Sequence, residues 1–65
     1  MTFQELTFVL DTFDKLIIRY EKTTINTVLD RAIFDHELDS LMERKVSYIG
    51  TIRGEKGPYI VIELE

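Results

Sequence analysis

His36 and Ser40 stand four residues apart, so on a helix they would share a face, and Asp35, Glu37 and Asp39 lie beside them. A serine, a histidine and a carboxylate are the parts of an acyl-transfer nucleophile, but that chemistry also needs an oxyanion hole and a pocket that excludes water. A chain of 65 residues offers little room for either. The same group falls short of a metal site, because one histidine and no cysteine leave the ligand set incomplete. Gly50, Gly54 and Gly57 suggest a phosphate-cradling loop. Neither the G-x-G-x-x-G nor the G-x-x-x-x-G-K-[ST] spacing is present, however, and Pro58 with a strand pattern follows in place of a helix N-terminus. The expectation is a protein that is not an enzyme, with no catalytic or metal-binding residue, no cofactor and no small-molecule substrate.

Charge carries more information. The net charge is −4, yet residues 1–43 hold Lys15, Arg19, Lys22 and Arg31 against nine carboxylates, whereas residues 44–58 set Arg44, Lys45, Arg53 and Lys56 against Glu55 alone. The segment IRGEKGPYIVIEL therefore begins in the basic part of an acidic protein. A chain this short buries only about 60% of the surface its unfolded form exposes, so support from a partner or a second copy is expected. The absence of cysteine removes disulfide staples and fits a reducing, cytoplasmic setting. The opening MTFQELTF lacks the basic start of a signal or transit peptide, and no apolar run approaches the roughly 18 residues of a membrane span. An apolar share of 45% suits a globular chain and is too high for a disordered one.

The elements that would position these residues follow from caps and periodicity. Thr2-Phe3-Gln4-Glu5 is a capping box, in which hydroxyl and carboxylate each satisfy a backbone N–H at a helix start. Phe3, Leu6, Leu10, Phe13, Ile17 and Tyr20 recur at steps of three and four, joined by Val9 and Leu16, and predict a helix over 3–22. Thr24 would cap a second helix, 25–33, with Ile25, Val28, Leu29, Ala32 and Ile33 inward. Continuing that face would present His36, Asp39, Ser40 and Glu43, so the phase breaks near Phe34-Asp35. Asp35 would then cap a third helix, 36–45, carrying Leu38, Leu41 and Met42 inward.

After Val46 the period changes to two, predicting a β-hairpin of 46–53 and 58–64 around Gly54-Glu55-Lys56-Gly57. The predicted fold is a single α+β domain over 1–65, three helices followed by a C-terminal two-stranded β-hairpin. Its predicted core is Leu6, Leu10, Phe13, Ile17, Val28, Leu29, Leu38, Leu41, Ile60 and Ile62.

At LMERKVSYIGTIRGEKGPYIVIEL the pattern resembles the second half of a winged helix-turn-helix domain, loosely over residues 24–64. The resemblance implies a winged-helix-like fold, with 24–33 as scaffold helix, 35–45 as recognition helix and 53–58 as wing. Nucleic acid would then meet Arg44, Lys45, Arg53 and Lys56, with Arg53 and Lys56 on the wing. Yet Glu37, Asp39 and Glu43 on the recognition helix would oppose a phosphate-lined groove. The favoured expectation is thus a protein-interaction module, a regulator, inhibitor or small subunit whose acidic helix face docks on a basic partner. On a first helix of 3–22, Phe8 and Ile18 would sit opposite the core stripe, about 15 Å apart by the helical rise. They would anchor a partner or a second copy, with Asp11 and Lys15 as rim charges.

Overall fold

The structure is a computed structural model describing residues 1–11, 14–34 and 36–65. The chain opens with α1 (Phe3–Thr7), whose capping box forms as the sequence implies. The Glu5 N–H donates to Thr2 Oγ1 at 3.2 Å, and the Thr2 N–H donates to Glu5 Oε1 at 2.9 Å. The next two α1 donors are also satisfied, Phe3 N–H by the Arg44 carbonyl at 2.9 Å and Gln4 N–H by that of Met42 at 3.0 Å. These bonds meet the unpaired donors that every helix start leaves, and they fix α1 against a segment forty residues away.

The helix then stops. The segment from Lys15 to Tyr20 is strand β1, which turns at Glu21-Lys22 into β2 (Thr23–Val28). Glu21 takes a left-handed backbone (φ 54°) to close this tight reversal. Helix α2 (Leu29–Phe34) and a 3₁₀ segment (His36–Leu41) follow, and then β3 (Val46–Gly54) and β4 (Gly57–Leu64). All four strands form one mixed sheet in the order β2-β1-β4-β3, antiparallel within each hairpin and parallel between β1 and β4 at its centre.

Register decides which residues are covered. Leu16, Ile18 and Tyr20 lie beside Ile60, Ile62 and Leu64 across the parallel pair, so all six share a face. Onto that face pack Phe3 and Leu6 from α1, Leu29 and Ala32 from α2, and Leu38 and Leu41 from the 3₁₀ segment, forming the core.

The predicted layout of three helices and a two-stranded hairpin is therefore corrected: the protein is mostly sheet, and the hairpin of 46–53 and 58–64 falls within half of a four-stranded sheet. Helix 3–22 ends at Thr7, helix 25–33 begins only at Leu29, and 36–45 is a 3₁₀ segment ending at Leu41. The physical reason lies in β-branching. Ile17, Ile18, Thr23, Thr24, Ile25, Thr27 and Val28 lose χ1 freedom against a preceding helical turn, but fit a pleated surface. The winged-helix-like arrangement falls with the helices, since the expected scaffold helix is half strand. Within the predicted core, Leu6, Leu29, Leu38, Leu41 and Ile62 are buried, and Leu10 and Ile60 pack partly against them. Ile17 and Val28 sit half-buried on the opposite face, and Phe13 lies outside the described residues.

Candidate functional site

The helical side of the molecule carries a groove of about 240 Å³ lined by Gln4, Thr7, Phe8, Ile33, Asp39 and Met42. Each lining residue has a local reason for its place. Thr7 is buried and turns its hydroxyl back to the Gln4 carbonyl at 2.6 Å. Phe8 caps α1 through its N–H to the Glu5 carbonyl at 3.3 Å, and its ring projects outward at 79% exposure. Ile33 is on the outer side of α2, next to Phe34, itself 77% exposed. Asp39 sits in the 3₁₀ segment, where its carbonyl accepts from the Met42 N–H at 3.2 Å and its carboxylate lies 3.3 Å from His36 Nδ1. The arrangement is an apolar trough with a carboxylate at its rim.

Of the residues expected to bind a partner, Phe8 and Asp39 meet in this groove although 31 positions separate them in sequence. Glu43 is exposed in the turn before β3, and Glu37 belongs to the 3₁₀ segment. Asp11 is exposed after α1, its N–H donating to Asp14 Oδ2 at 2.8 Å. Two positions need correction. Ile18 is fully buried in the core and anchors nothing outside, because residues 15–20 alternate as a strand and its side chain points under the helices. Lys15 starts β1 on the opposite sheet face, where its ammonium donates to the Lys56 carbonyl and lies 5.7 Å from the Tyr59 ring centre. The face expected to join Phe8 to Ile18 does not exist.

The four expected nucleic-acid contacts divide between the two ends of β3. Lys45 precedes the strand and Arg53 nearly ends it, a separation of about 27 Å at the usual strand rise. Arg44 is engaged within the chain: it donates to the Glu65 carbonyl at 3.1 Å and to Glu21 Oε1 at 3.2 Å, and its guanidinium stands 5.3 Å from the Tyr20 ring centre. Lys56 occupies the turn. No single basic patch results.

Sequence reasoning missed the sheet face turned away from the helices. There Ile17, Val61, Tyr59, Tyr48 and Ile52 fall on one surface by register. Val61 is only 3% exposed even though α1 and α2 lie on the other side. Tyr48 folds back across Gly50, Val61's partner on β3, so closely that a Cβ there would lie 2.4–2.8 Å from the phenol. Tyr59 likewise lies over Gly54. The signal was present as Tyr48-x-Gly50, an aromatic two residues from a glycine in a strand, which places both on one face.

Among the described residues no helix is long and apolar enough to cross a membrane, and no cluster of three or more histidine or carboxylate side chains is placed to hold a metal. Compared with known protein families, curated proteins and solved structures, the chain matches none.

Proposed function

We propose that this chain is a small non-catalytic interaction module, acting in the cytoplasm as a regulator, inhibitor or subunit. Its groove between α1, α2 and the 3₁₀ segment receives an apolar side chain of a protein partner whose flanking residues are cationic. The observation that carries the reading is the exposure of Phe8 and Ile33, which line that groove, in a chain with so little core to spare. Grouped apolar side chains left in water favour a binding surface, whereas scattered ones would not. The volume, below the roughly 300–1,000 Å³ of sites for drug-sized ligands, suits a side chain better than a metabolite. Charge supports the choice of partner: Asp39 rims the groove, and Asp11, Asp30 and Glu43 are exposed on the segments that build this side. Complementary charge raises the encounter rate and rejects acidic competitors.

A panel of short peptides tests the proposal, each carrying one Leu or Phe anchor flanked either by Lys and Arg or by Asp and Glu. Amide resonances of Phe8, Ile33 and Met42 should shift with the basic-flanked peptides, lose that response in Phe8→Ser, and transfer it to the acidic-flanked set in Asp39→Lys. No response to any peptide, or equal response to both sets, would overturn it.

A further inference from the structure

Strand β3 lies at the sheet edge and is nine residues long. Its outer side is closed at both ends. At the start, Val46 N–H donates to the Met1 carbonyl at 2.8 Å and Thr2 bridges Lys45; at the finish the chain turns through Glu55-Lys56. Between these limits, Ser47 to Arg53 has no strand against it among the described residues. Proteins ordinarily protect such an edge with proline, with charge or by keeping it short. Here six residues, Ser47 to Ile52, pass with no proline and no charge before Arg53.

We infer that a second copy of this chain pairs antiparallel along this edge, about a two-fold axis at Gly50. The free window runs from 47 to 53 and its midpoint is residue 50, so only an axis there uses all of it. The side chains agree with that register. Tyr48 would stand opposite Ile52 of the second copy on the open face, an aromatic against a β-branched residue, which is among the favourable cross-strand pairs. Ile49 would stand opposite Thr51 of the second copy on the helical side. Tyr48, Ile49 and Ile52 are each about half exposed in the single chain. An edge apolar on both faces asks for a partner strand apolar on both faces, and β3 itself meets that description. An acidic or amphipathic peptide would leave one face mismatched.

The result is one continuous sheet, four strands from each copy, with both helical sides facing the same way. It also closes. Its two outer edges would be the copies of β2, a shorter strand whose exposed side chains are Thr23, Thr24 and Asn26, so growth beyond two is not favoured. The groove of Phe8 and Asp39 lies elsewhere and stays open, so this inference does not depend on the function proposed above.

Sedimentation equilibrium of the full chain over a concentration series, with amide hydrogen exchange of β3, tests the pairing. The expected mass rises from 7.7 kDa towards twice that value, and protection of the 47–53 amides rises with it. Ile49→Lys and, separately, Thr51→Lys should hold the mass at 7.7 kDa while leaving circular dichroism unchanged and melting equal to that of the dilute, monomeric parent chain, because both side chains are exposed. Phe8→Ser should leave the doubling intact. A wild-type mass that stays monomeric to about 1 mM overturns the inference, since that corresponds to only about 4 kcal/mol of association. So does a doubling that survives both lysine variants or disappears in Phe8→Ser.

Discussion

On the helical side of the sheet, Leu16, Ile18 and Ile62 lose all contact with solvent beneath side chains delivered by α1, α2 and the 3₁₀ segment. On the other side, Val61 is almost as well buried with no helix of the described residues above it, next to a tyrosine that folds back over a glycine of the neighbouring strand. The first kind of cover comes from residues far away in sequence and is present only when the whole fold is. The second is local to the β3-β4 hairpin. The first face should therefore dominate global stability, and the second should be locally adjustable and tolerant of substitution. The same division orders the edges, since the helical connection leaves β2 directly for α2, whereas β3 from Ser47 to Arg53 has only its own side chains to shield it among the described residues.

The sharpest way to break this comparison uses two neighbours of like chemistry. Ile18→Ala opens a cavity under the helices and should cost about 2–5 kcal/mol, a large share of what a small domain has. Ile17→Ala, one residue away on the open face, should cost less than half as much. Urea unfolding of both variants decides the matter, and equal losses would show that the two faces are covered alike.

Gly50→Ala probes the aromatic cover with a smaller effect. The added methyl would occupy the space of the Tyr48 ring, which must swing away and expose Val61, for a loss of about 1 kcal/mol. In a Tyr48→Ala background that cost should vanish, because alanine is less flexible than glycine in the unfolded chain and nothing remains to displace. The coupling in this double-mutant cycle, read at a concentration where the chain is monomeric, measures the tyrosine's contribution. Absence of coupling would mean that Val61 is shielded by other means.

What the sequence revealed and what it concealed divide along similar lines. The capping box at Thr2 and Glu5 was legible because its chemistry is complete within four residues. The change of period after Val46 was legible because Tyr59 to Leu64 offers no helical alternative. The segment 10–20 misled because apolar residues are so dense there that Leu10, Phe13, Ile17 and Tyr20 satisfy a helical spacing while Leu16 and Ile18 alternate as a strand. Composition is the better guide: the β-branched run from Thr23 to Val28 suits a strand, although Thr24 has the side chain of a helix cap. At the candidate site, Phe8 and Asp39 were legible singly, as an apolar residue off the core stripe and as a carboxylate on a polar face. Their meeting was not, because it depends on the carbonyls of Met42 and Arg44 receiving the first N–H groups of α1, a contact with no pattern in either segment.

That attachment leads to the smallest expected effect, at a carboxylate whose protonation is visibly biased. The Glu5 carboxylate accepts from the Thr2 backbone N–H and, at 3.1 Å, from the Thr2 hydroxyl, and these bonds, the backbone one first, hold its pKa below the ordinary glutamate value. A carboxylate whose pKa is lower in the folded than in the unfolded chain stabilises the fold above the unfolded value and loses that contribution as pH falls through the folded one. Acidification through the lower carboxylate range should thus loosen α1, with a small effect because the group is exposed and solvent screens it. Thr2→Ala removes the hydroxyl and its bond from the Glu5 N–H, yet leaves the Thr2 backbone donor in place. It should cost about 0.5–1 kcal/mol, near the low end for a cap, because the Phe3 and Gln4 donors are satisfied by Arg44 and Met42. Side-chain carboxyl shifts followed through a pH titration should show Glu5 titrating below the ordinary glutamate value in the parent chain and moving part of the way back in Thr2→Ala. A full return would show that the hydroxyl alone sets the bias, and no change would show that it contributes nothing. In the second case α1 would be held by its attachment to residues 42–44 more than by its cap hydroxyl, and the cover over Leu16 and Ile18 would rest on that long-range contact.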